Sequence, residues 1–242
     1  MNTGYLALEV RRAMRSARFL LFTLVFPVML FLIYNGMYGS GKLDGGSTTS
    51  YLMCSMAAFG AFMAAMNFGA RTAVERSVGW QRQLRLTPLT PRGYLLAKAT
   101  CGMLVALPPV VLVSVAGAFS GASLTAGGWV QVVLGIWLAA LPFAVLGLLI
   151  GQLASAESVQ LYTSGIMMLF GMLGGLWIPV SIFPGWLASI AKVLPSYWLA
   201  DIGHAAVTAT HDLGRAAEVL GIWTVVLGFL VVRRYQRDSA RA

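Results

Sequence analysis

The chain has 242 residues and carries 17 Lys and Arg against 8 Asp and Glu, which gives a formal net charge of +9. Hydrophobic residues make up 58% of the chain and charged residues only 10%, with a mean hydropathy of +0.78, whereas soluble domains carry roughly 25% charged residues. This composition excludes an ordinary soluble domain and indicates an integral membrane protein.

Residues 1–17 are predicted to form an amphipathic helix on the inner membrane surface. Leu6, Val10 and Met14 recur at i, i+4 and i+8 on one helical face, and charged side chains occupy the rest. Such a helix lies in the interface with its apolar face toward lipid. The alternative is a charged flank that does no more than fix the topology.

Six apolar stretches predict transmembrane helices. A bilayer core of about 30 Å requires roughly 20 apolar residues per helix. The predicted spans cover 18–39, 51–70, 94–118, 128–151, 159–178 and 216–233. The expected fold is therefore an all-α integral membrane protein, with a single transmembrane domain over residues 1–242.

The segment after the first span has the spacing of a nucleotide-binding loop. Gly36, Gly41 and Lys42 match G-x-x-x-x-G-K. However, Leu43 stands where the Mg²⁺-binding Ser or Thr belongs, and no soluble strand precedes the loop. We interpret residues 39–50 as a short turn, and we expect neither a nucleotide-binding domain nor catalytic residues in this chain.

Basic residues predict the orientation. Fourteen of the 17 fall in clusters before the first span, between the second and third, and after the last. They are Arg11, Arg12, Arg15 and Arg18; Arg71, Arg76, Arg82, Arg85, Arg92 and Lys98; and Arg233, Arg234, Arg237 and Arg241. The positive-inside rule places both termini in the cytoplasm of a multi-pass protein of the cell inner (plasma) membrane. These clusters favour anionic membrane lipids as partners, not nucleic acid.

The loop of residues 71–92 is predicted to be a cytoplasmic coupling segment. Residues 71–86 have a helical pattern, which Thr87-Pro88 ends because a residue before proline avoids the helical region. Five basic residues within the segment, Lys98 just after it and the indole of Trp80 make this loop a candidate docking element for a soluble partner.

Prolines break the stretch after the fifth predicted span, so residues 179–205 are expected to form re-entrant helices on the outer side. The aromatic and proline residues in this stretch and just before it are candidates for an outer gate, and the aromatics fit an interfacial belt equally well. The candidates are Trp177, Pro179, Phe183, Pro184, Trp186, Tyr197 and Trp198.

Flexible methionines and an aromatic in the fifth predicted span suit a poorly discriminated amphipathic substrate, although Met is also an ordinary packing residue. The candidate cavity residues are Asn67, Met167, Met168, Phe170 and Met172. No metal site is predicted, because His204 and His211 lack Cys or carboxylate ligands at suitable spacing.

Two segments resemble a known family. The first resembles the E-R-x-x-G-x-x-x-x-L-R-x-T-P-L-[ST] signature between the second and third spans of permeases of type-two ABC transporters, which include antibiotic, lipid and polysaccharide exporters. It comprises Glu75-Arg76, Gly79, Leu84-Arg85, Thr87 to Thr90 and Lys98. Residues 174–205 are similar to the segment that follows the fifth span in that family.

The resemblance implies a complex of two permease subunits, as a homo- or heterodimer, with two separate ATPase subunits that bind ATP and Mg²⁺. It implies export of an amphipathic drug, antibiotic or lipid-like substrate, as in multidrug efflux and antibiotic resistance. The residues expected to dock the ATPase are Glu75, Arg76, Gly79, Trp80, Arg82 and Arg85.

Other functions remain open from the sequence. A polysaccharide-exporting permease of the same family is the nearest alternative. A secondary carrier is less favoured because the spans contain few ionisable residues at mid-membrane depth. A membrane-embedded enzyme lacks support because neither H-E-x-x-H nor G-x-S-x-G occurs. A channel or purely structural membrane protein is the last alternative.

Overall fold

The computed structural model describes residues 3–43, 46–80, 91–208 and 212–239. The described chain is almost entirely helical. Its helices are α1 Thr3–Met14, α2 Ala17–Leu20, α3 Phe26–Tyr38, α4 Thr48–Ala70, α5 Thr72–Ser77, α6 Pro91–Phe119, α7 Ala126–Val130, α8 Ile136–Ala139, α9 Leu141–Leu153, α10 Val159–Leu173, α11 Gly185–Ala191, α12 Pro195–His204 and α13 Leu213–Ser239.

Three short segments complete these elements. A π-helical turn, Leu21–Val25, joins α2 to α3, and a second, Gln131–Gly135, joins α7 to α8. A 3₁₀ turn covers Val180–Ile182. The predicted turn after the first span is a hairpin of two antiparallel strands, β1 Lys42–Leu43 and β2 Gly46–Ser47.

Five helical stretches in the described residues are long and apolar enough to cross a bilayer. They are Leu21–Tyr38, Thr48–Ser77, Gly93–Phe119, Ala126–Leu153 and Leu213–Arg237, which we number as spans one, two, three, four and six. The fifth predicted span corresponds to α10, which has 15 residues and is about 22 Å long. The described residues thus contain five candidate spans, and a sixth crossing at α10 stays a prediction.

Span two is the centre of the bundle. In its most apolar window 89% of the residues are buried, against 17% in span one and 22% in span six. Its Ala, Gly, Ser and Met side chains suit this position because small residues let several helices approach at once. Spans one and six lie at the edge and expose large apolar side chains such as Phe22 and Phe229.

Spans two and four make backbone contact through glycines. A Cβ added at Gly147 would overlap the carbonyl oxygen of Met66, and one added at Gly69 would lie 2.5 Å from the amide nitrogen of Leu148. Only glycine fits at such distances. This contact holds the end of span two close to α9.

Two ring contacts define the basic end of the bundle. The Arg12 guanidinium lies 5.8 Å from the Trp80 ring, so α1 and the segment after α5 are neighbours. Tyr94, near the start of α6, lies 5.8 Å from Tyr235, near the end of α13. The two ends of the described chain therefore lie at the same end of the bundle. The opposite end carries the β-hairpin and the Ser50–Ser123 hydrogen bond.

The structure corrects the predicted helix over residues 71–86. Helix α5 ends at Ser77, and Gly79 has a φ of +74°, in the left-handed region. A glycine in this conformation just after a helix is a common stop signal because it has no Cβ to strain the backbone. Residues 81–90, with Arg82 and Arg85, lie outside the described residues.

Candidate functional site

A buried ion-pair cluster joins three elements at the basic end. Lys98 of α6 donates hydrogen bonds to Glu9 of α1 at 2.9 Å and to Glu75 of α5 at 2.7 Å. The side chain of Lys98 is 1% exposed and that of Glu9 is 3% exposed. We call these three residues the Glu9–Lys98–Glu75 cluster. It fixes the N-terminal helix to both span two and span three.

Two residues of this cluster, Lys98 and Glu75, lie in other surroundings than the sequence predicted. Lys98 was expected among the basic residues of the loop, but it lies inside span three and is buried. The expected docking residue Glu75 is buried as well, with one oxygen on Lys98. Both side chains bind other parts of this chain and are not on its surface.

Arg76 also binds within the chain. Its Nη1 donates to the carbonyl oxygens of Gly151 and Gln152 at the end of α9. A cation at a helix C-terminus satisfies the last carbonyls and interacts favourably with the helix dipole. Arg76 thus connects α5 to span four, just as Glu75 connects α5 to span three.

A groove beside the cluster runs along the exposed side of α1. It has a volume of about 760 Å³, and Trp80 forms one of its walls. The indole nitrogen of Trp80 is buried without a hydrogen-bond partner among the described residues. Three arginines line the groove: Arg11, Arg12 and Arg15. This arginine–tryptophan groove is basic and partly apolar, as an acidic protein surface with an apolar anchor would require.

A cavity lies next to this groove, between span one, span two and α10. Its volume of about 630 Å³ is within the range of small-molecule sites. One part of the lining is apolar and comprises Phe19, Phe22, Met63 and Met167; the other is polar and comprises Asn67, Arg71, Gln160, Thr163 and Ser164. The cavity is therefore amphipathic.

The structure brings two of the five expected cavity residues into this lining, Asn67 and Met167. Met168 and Met172 are exposed on the outer surface of α10. Phe170 packs against Phe62 and Phe143 in the core, with ring centroids 6.3 Å away in each case. The helical period places Met168 and Met172 on other faces of α10 than Met167, whereas Phe170, three residues after Met167, faces the core.

The expected outer-gate segment consists of short helices that begin at prolines. Pro179 precedes the 3₁₀ turn, Pro184 precedes α11 and Pro195 is the first residue of α12. Proline suits this position because its fixed φ matches the helix and its missing N–H is not needed there. Phe183 ends the 3₁₀ turn in extended backbone.

The aromatics of this segment differ in their surroundings. Trp198 is buried and donates to the carbonyl of Lys192 at 2.7 Å, while Trp177 packs edge-on against Phe59 at 5.2 Å. Trp186 is 67% exposed. Tyr197 is half-buried, and burial, with a smaller effect of the Asp201 carboxylate, raises the pKa of its hydroxyl above the ordinary value. Tyr197 therefore stays protonated at neutral pH.

A pocket of about 440 Å³ lies beside these aromatics at the opposite end. Within it His204 stacks on the Tyr51 ring at 3.8 Å and its Nε2 lies 2.8 Å from the Ser55 hydroxyl. The described residues contain no group of three or more His, Cys, Asp or Glu that could hold a metal ion. His211 lies outside the described residues.

Comparison with known proteins identifies the family. The family model described as ABC-2 type transporter matches residues 5–206, most of the chain. The chain belongs to the ABC-2 type transporter family. It is also 29% identical over 191 residues to a Bacillus subtilis (strain 168) protein named "Putative transport permease YvfS", with 78% of each chain covered. It is thus a transmembrane permease subunit, and membership in the ABC-2 family implies an ABC ATPase as its partner.

Sequence reasoning missed three residues of this ABC-2 permease that organise its two ends. Glu9 was assigned only to the charged side of α1, yet it is buried against Lys98. Arg71 was counted as a topology signal, yet it lines the cavity. Trp223 donates to the carbonyl of Val193 at 3.0 Å and so helps Trp198 to hold the turn between α11 and α12. An ionisable residue next to apolar spans was the available signal for the first two.

Proposed function

We propose that this permease is the membrane subunit of an ATP-driven exporter in the plasma membrane, with both termini in the cytoplasm. Two copies of it, or one copy and a related permease, pair around a pathway for an amphipathic drug, antibiotic or lipid-like substrate. Two separate ATPase subunits bind ATP and Mg²⁺ and drive the cycle. The observation that carries this proposal is the amphipathic cavity at the basic end, directly beside the arginine–tryptophan groove.

The groove is suited to dock the ATPase. Its arginines offer positive charge to an acidic surface, and Trp80 offers an apolar anchor whose N–H still lacks a partner among the described residues. Tryptophan and arginine are the residues that most often dominate binding at interfaces. The predicted docking residues Arg82 and Arg85 stand two and five positions after Trp80 in the sequence; they lie outside the described residues, so their part in docking stays a prediction.

The buried cluster provides the mechanical link. Movement of a docked ATPase at Trp80 reaches α5. Glu75 of α5 binds Lys98 of α6, and Lys98 also binds Glu9 of α1. Arg76 of α5 binds a carbonyl oxygen of α9. The basic end therefore moves as one body. Such a body transmits ATP-driven closure to the spans and shifts the balance between inward- and outward-open arrangements.

Exposed apolar faces support pairing with a second permease. Span one and α10 form two walls of the cavity, and both also present large apolar side chains at the surface. Examples are Leu32 on α3, and Leu161 and Met168 on α10. A partner packed on these faces would enclose the cavity and turn it into a shared pathway.

The test is co-purification of a tagged permease from its native membrane, with the partners identified by mass spectrometry. An ABC ATPase is the expected partner. Trp80→Ala should weaken the complex by about 2 kcal/mol or more if Trp80 is a buried anchor. Arg82→Glu with Arg85→Glu should weaken it further by repulsion, although each exposed ion pair contributes only about 0.2–1 kcal/mol.

Trp186→Ala is the matched control, because Trp186 is an exposed tryptophan at the opposite end. It should leave complex recovery unchanged, and all variants should reach the membrane at normal levels. Recovery of the wild-type permease without any ABC ATPase would overturn the proposed function. Normal recovery and normal export in the Trp80 and arginine variants would overturn the docking site alone.

A further inference from the structure

We infer that the cavity at the basic end selects amphiphiles with an acidic headgroup, and that Arg71 and Asn67 bind that headgroup. This inference rests on the proposed function, since it names the class of substrate that the cavity accepts. The argument starts from the two polar side chains that α4 and the residue after it direct into the cavity.

Asn67 and Arg71 are four residues apart, and Arg71 continues the helical backbone after α4 with φ −56° and ψ −20°. Side chains at i and i+4 lie on the same helical face. Both residues line the cavity. A guanidinium and an amide can therefore donate hydrogen bonds to one group bound between them.

Neither side chain has a hydrogen-bond partner or ion pair among the described residues. No carboxylate oxygen of the described residues lies within 4 Å of the Arg71 guanidinium, which lies 5.6 Å from the centre of the Phe19 ring. Glu75 and Glu9 act on it only at Coulombic range, because both are bound to Lys98. Arg71 is thus the charged group of the cavity that is open to a ligand.

The polar residues that α10 contributes to the cavity are already engaged. The Gln160 amide donates to Ser164 at 3.1 Å, and the Thr163 hydroxyl bonds to the carbonyl oxygens of its own helix. The headgroup site therefore centres on Asn67 and Arg71. An anion suits it because arginine donates to carboxylate, phosphate and sulfate oxygens in a planar, charge-assisted arrangement.

The apolar part of the cavity accounts for the rest of the ligand. Phe19, Phe22, Met63 and Met167 form a wall of aromatic and thioether side chains beside Arg71. Flexible methionines adapt to hydrocarbon chains of different shapes. The cavity is thus selective for the charge of the headgroup and accepts hydrocarbon chains of different shapes.

The test measures equilibrium binding of radiolabelled dodecyl phosphate to the full-length permease in phosphatidylcholine nanodiscs, which carry no net charge. Dodecyltrimethylammonium and inorganic phosphate serve as competitors. Dodecyl phosphate should bind, the cationic amphiphile should not compete, and inorganic phosphate should compete only weakly because it lacks the chain. Equal competition by inorganic phosphate would show a site for the free anion and overturn the amphiphile assignment.

Arg71→Gln should weaken binding about tenfold or more, since it removes a hydrogen bond to a charged group. Arg71→Lys should retain part of the affinity, because lysine keeps the charge without the planar fork. Asn67→Ala keeps the charge and should give a smaller loss. These two variants keep the test valid if Arg71→Gln proves unstable.

Arg233→Gln is the matched control, because it removes one positive charge from the exposed end of α13 away from the cavity. It should leave binding unchanged. Equal losses in Arg71→Gln and Arg233→Gln, or equal binding of both amphiphiles, would overturn this inference. In either case, co-purification of the ABC ATPase would still support the proposed function, so the two failures are distinguishable.

Discussion

At the scale of single residues, burial of Lys98 carries a large electrostatic cost. An ammonium buried to 1% exposure has lost nearly all of its hydration, which is tolerated only with strong compensating partners. The two carboxylates provide this compensation. The second oxygen of each carboxylate, Oε1 of Glu9 and Oε2 of Glu75, has no hydrogen bond among the described residues. The cluster is therefore sensitive to the loss of any one member.

Lys98→Met should lower the free energy of unfolding by about 3–5 kcal/mol, because it leaves two buried carboxylates without their cation. The measurement is SDS titration of the purified permease in mixed micelles. Replacing the whole cluster, as Glu9→Gln, Lys98→Met and Glu75→Gln, should recover much of the loss, since no unpaired charge then remains.

Lys192→Met is the control for the loss of a lysine, because the Lys192 side chain is exposed. It should change the free energy of unfolding by less than about 0.5 kcal/mol. If Lys98→Met were as mild as this control, the cluster would contribute little and the link between α1, α5 and α6 would rest on apolar packing.

The sequence predicted the amphipathic helix but not this cluster. Leu6 and Val10 lie on one face of α1 as their spacing indicates, but they pack against the protein core, whereas the sequence predicted a face toward lipid. Helix α1 ends near the predicted boundary. The pairing of Lys98 with Glu9 joins residues that are 89 positions apart. Which of the eight acidic residues meets a buried lysine depends on how the helices pack, and a single sequence does not encode that in a local pattern.

At the scale of elements, the contact between spans two and four determines where the cavity and the cluster sit. Gly69, Gly147 and Gly151 let the two backbones approach until an added Cβ would overlap the facing helix. In a membrane such packing contacts, not the hydrophobic effect, hold helices together. Displacement of α9 would also displace the carbonyls that Arg76 binds.

Gly147→Ala should therefore destabilise the permease by about 1–3 kcal/mol through overpacking, measured by the same SDS titration. Gly165→Ala in α10 is the matched control, because an added Cβ there meets nothing within 4 Å. This control should be neutral or slightly stabilising, since alanine favours a helix more than glycine. A Gly147→Ala variant as stable as Gly165→Ala would mean that spans two and four separate easily.

The length of apolar runs was enough to predict five of the helices, because hydropathy responds directly to the thickness of the bilayer. The helix over 71–86 was wrong in its continuity, and Gly79 is the reason. Glycine is compatible with a helix as well as with a left-handed stop. The sequence therefore contains the glycine that ends the helix, but the glycine alone does not distinguish a helix end from a helical residue.

At the scale of the whole molecule, the fold limits the possible topologies. The starts of α1 and α6 and the end of α13 meet at the basic end, through Glu9, Lys98, Tyr94 and Tyr235. We therefore predict an even number of crossings between α1 and the end of α13. Helix α10, although only 15 residues long, is predicted to form one of these crossings together with the chain around it.

Cysteine labelling in intact cells tests this arrangement. Cysteines introduced at positions 45 and 125 should react with a membrane-impermeant maleimide from outside, and those at 82 and 238 should react only after permeabilisation. The native Cys54 and Cys101 are buried, so their background labelling should be low.

The pair of positions 82 and 238 makes the experiment decisive, because one precedes α10 in the chain and the other follows it. Protection at both sites agrees with six crossings and cytoplasmic termini. Protection at 82 with labelling at 238 would mean five crossings, which is incompatible with the contact of Tyr94 with Tyr235 at 5.8 Å. Labelling at 82 from outside would reverse the orientation and place the arginine–tryptophan groove beyond the reach of a cytoplasmic ATPase.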